Sequence, residues 1–310
     1  MTTKEAVKFG VAIPQIFQDG HVNMALVRES VVKAETMGYE SVWVQEGIVG
    51  DVPMLESLSL LSYVAAISSN VRLGVSVLVT PLRHPVQLAK ILGSIDQMSG
   101  GRLIVGVGVG PTTSYYPAFG IKAEERMGRF IEGLQVMKAL WTESSAKKEG
   151  RFWQLDDVPM EPKPLQNPYP PIWFGGSHPN ALARAVRHGD GWMGAGYSST
   201  SQFKEGVLVI KRQLEEQKRD PATFMISKRV YIALDEDENR GERRLREWYA
   251  RSVYRNAERG SQVSVWGSPS RCIEELAELT TAGAQHLLLN PVFDMPDQID
   301  RLSEEVIPHL

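Results

Sequence analysis

Strand patterns and helix patterns alternate along almost the whole of this chain of 310 residues. Eight short segments rich in Val, Ile and Leu are predicted to be strands: Val7–Ile13, Ser41–Gln45, Val71–Val79, Arg102–Val109, Ile172–Phe174, Gly191–Ala195, Ser227–Leu234 and His286–Asn290. Such segments are typical of parallel strands that are covered on both faces. Because each strand is followed by a helix pattern, the chain is predicted to fold as a (β/α)₈ TIM barrel rather than an open sheet.

The helix patterns lie between these strands, and a last one near Gln298–Val306 closes the chain. The others are Met24–Met37, Leu55–Ser68, Pro85–Met98, Ala123–Trp141, Asn180–His188, Gln202–Lys218 and Ser270–Ala282. Two segments interrupt the alternation. Prolines and polar residues from Lys147 to Pro171 predict a short hairpin insertion and an extended connector. The mixed-charge segment from Asp235 to Arg259 predicts helix, either as a solvated surface helix or as a lid insertion over the barrel mouth.

Composition narrows the class of protein. The formal net charge of -3 gives no electrostatic case for binding nucleic acid or an anionic membrane. No run of about 18 apolar residues predicts a membrane span, and the N-terminus lacks a signal-peptide pattern. The lone Cys272 excludes an internal disulfide and fits a reducing compartment. We therefore expect a cytoplasmic protein, and residues 1–310 are expected to form one domain, because no linker is visible.

The segment from Pro170 to Trp192, PPIWFGGSHPNALARAVRHGDGW, is the most informative local motif. It predicts a short strand, a glycine pair, and a helix that begins near Pro179, with Ser177 and Asn180 as N-cap residue types. A helix N-terminus beside glycines favours an anion such as phosphate. An ordinary strand-to-helix turn explains the same residues equally well.

Barrel ligands bind where the strands end, yet few residue types there suit catalysis. The chain has no Gly-x-Ser-x-Gly motif, no phosphate-binding Walker loop and no metal-spaced cluster, so no metal is expected. The glycines of GVGVG, at Gly106–Gly110, suggest room for a flat ligand. A site of this kind, poor in acids and bases, indicates a cofactor that carries the chemistry itself.

Several motifs in order resemble the luciferase-like monooxygenase superfamily, and above all its F420-dependent oxidoreductases. They are ESVWVQEG, VRLGVSVLVTPLRHPVQLAK, DQMSGGRLIVGVGVG, ERMGRFIEGLQVMKALW and PIWFGGSHPNALARAVRHGDGW. The resemblance extends from Phe9 to about Trp192 and resumes weakly at WGSPSRCIEELAEL. It implies a (β/α)₈ barrel that uses either the deazaflavin F420 for hydride transfer or reduced FMN with oxygen.

The resemblance also implies which residues contact the cofactor. These are Glu46, Val79 or Thr80, Val109, Gly110, Ser114, Gly176, Ser177, His178, Asn180 and Ala181. The last five would contact the phosphate, His178 through its backbone rather than its imidazole. The family often has a non-prolyl cis peptide in the third strand, which would fall at Ser76–Val77.

Two departures from the family pattern bear on mechanism. Many relatives have histidine where this chain has Gly47, and the sugar-phosphate dehydrogenases have glutamate where it has Pro111. That specific activity is therefore not expected. Glu46 is a candidate acid or base, although a hydrogen bond to the cofactor suits it better. Tyr115 and Tyr116 are candidate proton donors or aromatic walls of a substrate pocket.

Together these inferences predict an F420-dependent oxidoreductase that transfers hydride between the deazaflavin and a small organic substrate. One alternative is an FMN-dependent monooxygenase that receives reduced flavin from a partner reductase. Another is a flavin- or phosphate-binding barrel without catalysis. The resemblance further implies a homodimer, to which the apolar residues of the second helix could contribute. The identity of the substrate is not predictable, because relatives differ in the lid region and at the strand ends.

Overall fold

The computed structural model describes residues 6–110, 114–252 and 254–310. Within these ranges the strands are β1 (Lys8–Ala12), β2 (Ser41–Val44), β3 (Arg72–Val75), β4 (Leu78–Val79), β5 (Leu103–Gly108), β6 (Ala146–Glu149), β7 (Gln154–Val158), β8 (Ile172–Gly175), β9 (Gly191–Gly194), β10 (Met225–Leu234), β11 (Val265–Gly267) and β12 (His286–Pro291). The helices are α1 (Met24–Thr36), α2 (Ser57–Ile67), α3 (Pro85–Met98), α4 (Arg126–Thr142), α5 (Pro179–His188), α6 (Thr200–Glu216), α7 (Glu238–Arg251), α8 (Ala257–Val263), α9 (Pro269–Ala282) and α10 (Met295–Arg301). Each predicted strand and helix is present, with ends that differ by a few residues.

The strands close into a barrel because the last one pairs with the first. The pairing order is β1, β2, β3, β5, β8, β9, β10 and β12, all parallel. The closing pair aligns Phe9 with Leu287, and on the other side of β1 Val11 aligns with Val42. The predicted (β/α)₈ barrel is confirmed, so all eight strands point their carboxyl ends at the same face of the molecule.

The third barrel strand is broken in the middle. The sequence predicts one strand over Val71–Val79, whereas β3 ends at Val75 and β4 resumes at Leu78. The Ser76–Val77 peptide bond between them is cis, which confirms the position implied by the family resemblance. Beyond the break, β4 pairs with β5 through Leu78 and Val107.

Two insertions leave the barrel. The predicted hairpin is confirmed, since β6 and β7 pair antiparallel between α4 and β8. The predicted helical insertion after β10 is also present, but it consists of two helices, α7 and α8, followed by β11. That short strand pairs with the carboxyl half of β10, where Ile232 aligns with Val265. Three residues are too few for a period-2 pattern, so the sequence did not indicate it.

Helix starts and stops follow local capping chemistry. Asn23 caps α1 by accepting a hydrogen bond from the amide of Leu26. Ser199 and Gln202 form a reciprocal capping box at α6. Gly283 ends α9 in the left-handed conformation, with a φ of 117°, which glycine adopts without a steric penalty.

Apolar side chains fill both the inside of the barrel and the layer between strands and helices. The inner cluster contains Ala12, Trp43, Ile104, Trp173, Met193 and Leu288. Buried His286 lies beside it, with Nε2 3.1 Å from Ser41 Oγ and Nδ1 2.8 Å from Ser227 Oγ. Burial lowers the pKa of His286 to about 4, so its imidazole is neutral at pH 7. Among the described residues, no helix is long and apolar enough to cross a membrane.

Candidate cofactor and active site

The candidate site residues lie at one end of the barrel, because each follows a strand of the same parallel set. Glu46 lies two residues after β2, and Thr80 directly after β4. Val109 and Gly110 follow β5, and the turn that begins at Gly176 follows β8. Pro111 lies outside the described residues. The barrel thus brings to its carboxyl-terminal face segments that are more than a hundred residues apart in the sequence.

Glu46 has a side chain that is only 4% exposed, and its partners all belong to the chain itself. Oε2 accepts a hydrogen bond from Ser57 Oγ at 2.5 Å, and Oε1 accepts one from the amide of Val79 at 3.3 Å. Arg83 donates to both oxygens. The carboxylate therefore joins the end of β2 to the start of α2 and to β4. Contact of Glu46 with a cofactor, or a role as acid or base, stays a prediction.

Arg83 is the partner that the sequence did not indicate. Its Nη2 also lies 2.8 Å from Oε1 of Glu56, the residue that caps α2. Arg83 lies two residues before Pro85, the first residue of α3. One guanidinium thus stabilises two carboxylates, and the segment between β4 and α3 is held against the barrel mouth.

Gly47 stands where many relatives have histidine, and the structure shows what fills the space. A Cβ atom added to Gly47 would lie 2.6 Å from Sδ of Met54. Contacts that short do not occur between real atoms, so any side chain at this position requires Met54 to move. The missing proton-transfer group is therefore replaced by a thioether, which neither gives nor takes a proton.

Thr80 carries an unsatisfied polar group at the place where the cofactor ring was predicted. The residue is 8% exposed, and its Oγ1 has no hydrogen-bond partner among the residues that the structure describes. A buried hydroxyl without a partner costs about 1–3 kcal/mol. A polar atom of a bound ligand would remove that cost, so the residues at the end of β4 fit a flavin-type cofactor.

Gly106 and Gly108 of GVGVG, together with Gly175, serve the packing of the barrel itself. A Cβ atom on any of the three would lie 2.9 Å from a methyl group of Val77, and on Gly106 it would lie even closer to the Val75 carbonyl oxygen. These glycines therefore make room for the side chain of Val77, which follows the cis peptide bond. At these positions the space expected for a flat ligand is filled by the side chain of Val77. The sequence did not reveal that these glycines serve packing.

The glycine turn after β8 leads into α5 as predicted, but its cap differs from the expectation. The N-cap residue is His178, not Ser177 or Asn180, and its Nδ1 accepts a hydrogen bond from the amide of Asn180 at 3.2 Å. The amide of Ala181 bonds to the carbonyl of His178. Gly176 adopts a φ of 117°, and its carbonyl accepts from Trp192 Nε1 at 2.7 Å.

This turn could hold an anion, although part of its donor set is already used. Gly176, Ser177, His178 and Asn180 are exposed, and Ala181 is half-buried. A phosphate that bound the Asn180 amide would displace the imidazole of His178. Contacts of these five residues with a phosphate stay predictions, and so does the backbone role for His178.

The loop after β5 places the two candidate tyrosines in different environments. Tyr116 is fully buried, and its hydroxyl donates to the carbonyl of Val109 at 2.8 Å. Burial raises the pKa of Tyr116. Tyr115 is 44% exposed, and Ser114 before it is exposed too. Tyr116 thus fastens the loop to the end of β5, whereas the Tyr115 side chain is accessible from solvent.

Aromatic rings of the insertion after β10 form a cluster with Tyr231 of β10 and with Tyr197, which follows β9. The cluster contains Tyr197, Tyr231, Trp248, Tyr249 and Tyr254. Tyr231 Oη donates to Tyr254 Oη at 3.1 Å, and the ring of Tyr254 stacks on Tyr197 with centroids 4.5 Å apart. Arg255 forms an ion pair with Asp51 in the loop after β2, so the insertion reaches another strand end. Its role as a lid stays a prediction.

A polar network lies among the strand ends. Gln15 Nε2 donates to the carbonyls of Gln45 and Leu55 at 2.8 and 2.7 Å. Asn290 Oδ1 accepts from Gln45 Nε2 and, at 2.6 Å, from Arg229 Nη2. Arg229 was not predicted as a site residue. Within the described parts of the chain, no three His, Cys, Asp or Glu residues are placed to hold a metal ion.

Comparisons with known proteins show similarity in sequence and in fold. A sequence profile described as luciferase-like monooxygenase matches residues 7–286. An F420-dependent glucose-6-phosphate dehydrogenase of Kineococcus radiotolerans is 29% identical over 256 residues, which cover 79% of this chain and 74% of that enzyme. An FMNH(2)-dependent dimethylsulfone monooxygenase of Pseudomonas putida is 26% identical over 285 residues, 82% of this chain and 78% of that enzyme.

The chain is also similar to an uncharacterized protein and to a solved dehydrogenase structure. An uncharacterized protein of Sinorhizobium fredii is 30% identical over 162 residues, which span 52% of this chain and about half, 46%, of that protein. The solved structure of an F420-dependent secondary alcohol dehydrogenase in complex with an F420-acetone adduct superposes with a TM-score of 0.85. It is 19% identical and covers 98% of this chain and 99% of that chain, a similarity that shows a shared fold.

Proposed function

The chain belongs to the luciferase-like monooxygenase family, and on that premise we propose that it is an F420-dependent oxidoreductase that transfers hydride between the deazaflavin and a small organic substrate. The observation that supports this best is the set of hydrogen bonds made by the Glu46 carboxylate. Its carboxylate is bound by Arg83, Ser57 and the Val79 amide, so the site holds no free acid or base at that position. Chemistry supplied by a cofactor suits such a site.

The proposed contacts assign a task to each strand end. Thr80 Oγ1, with Val79 beside it, would bind a polar atom of the ring system. The backbone of Val109 and Gly110, with Ser114, would border the same ring. Gly176, Ser177, His178, Asn180 and Ala181 would bind the phosphate. When bound, the deazaflavin supplies two-electron hydride chemistry and scarcely activates oxygen. The protein would contribute mainly orientation of the reactants and exclusion of water.

The proposal does not extend to the sugar phosphate named for the Kineococcus relative. Gly47 has no side chain to transfer a proton, and Met54 occupies the space beside it. We propose that the substrate binds between the loop of Tyr115 and Tyr116 and the aromatic cluster of the insertion. Of the two tyrosines, Tyr115 has the side chain accessible from solvent and is therefore the better candidate for a proton donor.

An FMN-dependent monooxygenase supplied by a flavin reductase is the second candidate. The similarity to the Pseudomonas putida monooxygenase, over 82% of this chain, favours it. A fluorescence titration with F420 and with FMN separates the two candidates. Saturation by F420 alone, followed by oxidation of reduced F420 by small ketones without oxygen uptake, is the expected result. Turnover that needs both reduced FMN and stoichiometric oxygen would overturn the proposal, and tight binding without turnover would favour a barrel that has lost catalysis.

We propose that residues 1–310 form one domain of a cytoplasmic homodimer. In α2 and just before it, Leu58 and Leu61 are buried against the barrel, whereas Met54, Leu55 and Tyr63 are only partly buried and could extend an interface. Sedimentation at micromolar concentration should show a dimer, and a protein that remains monomeric there would contradict this.

A further inference from the structure

Arg229 is a buried cation with only neutral partners. The residue is 7% exposed, and no carboxylate of the described residues lies within 4.0 Å of its guanidinium. Nε and Nη2 donate to Asn290 Oδ1 at 3.2 and 2.6 Å, and Nη1 donates to the carbonyl of Ser76 at 3.3 Å. Its Cζ also lies 4.7 Å from the centroid of the Tyr231 ring. By contrast, Arg83 in the same site is paired with two carboxylates.

An unpaired buried charge is costly, and the cost falls when an opposite charge enters the site. Taking a cation out of water without a counter-ion costs several kcal/mol, which neutral hydrogen-bond acceptors offset only in part. Lys228, the preceding residue on β10, points to the opposite face of the strand, where its Nζ donates to the carbonyls of Ala195 and Ser198. Burial lowers the pKa of Lys228 to about 7, so its charge at pH 7 is only partial. The guanidinium of Arg229 is therefore the centre of positive potential that favours an anion.

The position of Arg229 indicates which anion. Arg229 donates to the carbonyl of Ser76, which lies between β3 and β4 and four residues before Thr80. Thr80 directly follows β4, and its buried hydroxyl has no hydrogen-bond partner among the described residues. Arg229 is thus attached directly to the segment proposed to support the cofactor ring. Three of its five N–H donors form the bonds described, which leaves two for a further acceptor.

We propose that the guanidinium of Arg229 stabilises the negative charge of the reduced cofactor ring and thereby raises the reduction potential of the bound cofactor. This rests on the proposed function. In the reduction, the donor carbon of the substrate gives a hydride to the ring, and a proton leaves the donor's heteroatom to water. The ring thus gains two electrons, one hydrogen and one negative charge, which is delocalised over its pyrimidine part. A nearby fixed cation favours this product over the neutral oxidised ring. Arg229 acts as a positioning and electrostatic residue, and no proton has to pass through it.

The test compares the affinities of wild type and variants for the oxidised and the reduced cofactor, F420 and then FMN. In Arg229→Met, the preference for the reduced form should fall at least tenfold, equivalent to about 30 mV in the two-electron potential. Arg229→Lys keeps the charge and should stay within threefold of wild type. Lys228→Met, which removes the neighbouring buried amine on the other side of β10, is the matched control and should also stay within threefold.

A measurement on the wild type keeps the proposal testable even if Arg229→Met does not fold. The potential of the bound cofactor should exceed that of the free cofactor by at least about 30 mV, a tenfold tighter binding of the reduced form. A bound potential equal to or below the free value overturns the inference. An unchanged preference for the reduced cofactor in Arg229→Met also overturns the inference. If that variant in addition binds acetate, used as a probe, more weakly than the wild type, the charge of Arg229 serves an anionic substrate instead. If the wild type binds neither cofactor, the proposed function fails as well.

Discussion

The buried carboxylate of Glu46 and the guanidinium of Arg83 form an ion pair in which Nη2 lies 3.1 Å from both carboxylate oxygens. Arg83 also binds Glu56, so one cation fixes the end of β2, the start of α2 and the entry to α3 relative to one another. The pair lies directly behind the proposed ring site, because Glu46 also accepts from the amide of Val79. Its main effect is thus to hold the mouth of the barrel in shape.

Replacing Glu46 with glutamine should lower the free energy of unfolding by about 3 kcal/mol, because it leaves Arg83 buried with less charge compensation. Glu56→Gln is the matched control. Its side chain is 38% exposed, and the expected loss is at most about 1 kcal/mol. Urea denaturation at pH 7 measures both values. Equal losses in the two variants would show that burial of the Glu46 pair does not matter for stability.

The two tyrosines of the loop after β5 should separate stability from activity. Tyr116→Phe removes the hydrogen bond to the Val109 carbonyl and should cost about 1 kcal/mol of stability. Tyr115→Phe should leave stability unchanged and, if Tyr115 donates the proton, slow turnover by about 100-fold. Thermal unfolding and the rate of oxidation of reduced F420 measure the two effects. A slower rate in Tyr116→Phe alone would move the proton-donor role to Tyr116.

His286 should make the protein less stable in acid. Its pKa is about 4 in the folded chain and 6.5 in the unfolded chain, so the unfolded state takes up the proton first. The stabilisation is therefore complete above pH 6.5 and is lost as the pH falls towards 4, a loss of about 3 kcal/mol. Glu40, with Oε2 3.9 Å from Nε2, opposes this shift, whereas Arg72 and Lys8 strengthen it.

Urea denaturation at several pH values measures the slope, and His286→Gln serves as the comparison. The glutamine keeps hydrogen-bonding groups near Ser41 and Ser227 but does not titrate. Its unfolding free energy should vary less between pH 6.5 and 4 than that of the wild type. The same slope in both proteins would assign the acid sensitivity to other groups.

Ser177→Asp should weaken cofactor binding at least tenfold, about 1.4 kcal/mol, because it places a carboxylate beside the proposed phosphate. Ser270→Asp is a matched control, since Ser270 is exposed near the start of another helix that begins with proline, α9. Fluorescence titration measures both affinities. If Ser177→Asp binds as tightly as wild type, the phosphate does not lie at this turn.

The architecture was predictable because most barrel strands are short segments rich in Val, Ile and Leu, as in Leu103–Gly108. The positions of Glu46 and Thr80 after their strands followed from the strand assignment, whereas their contact with a cofactor stays a prediction. The cis peptide bond at Ser76–Val77 followed from the family resemblance, but the break in the third strand was not predicted. No apolar pattern marks a cis bond, and the predicted segment Val71–Val79 runs straight through it.

Two arginines were not predictable, for separate physical reasons. The partners of Arg83 lie 37 and 27 residues before it, so only the folded chain brings them together. Lys228 and Arg229 are neighbours on one strand and therefore point to opposite faces. The sequence does not tell which of the two enters the barrel. The cap at His178 was missed because histidine is not among the usual N-cap residues.

Gly47 and Met54 together determine what a side chain at position 47 would require. A Cβ atom there would lie 2.6 Å from the Met54 sulfur. Because that sulfur is near the end of a flexible side chain, a histidine introduced at position 47 would require a new rotamer of Met54 or a smaller residue at position 54. A redesign that aims to place an imidazole beside Glu46 should therefore change the two positions together.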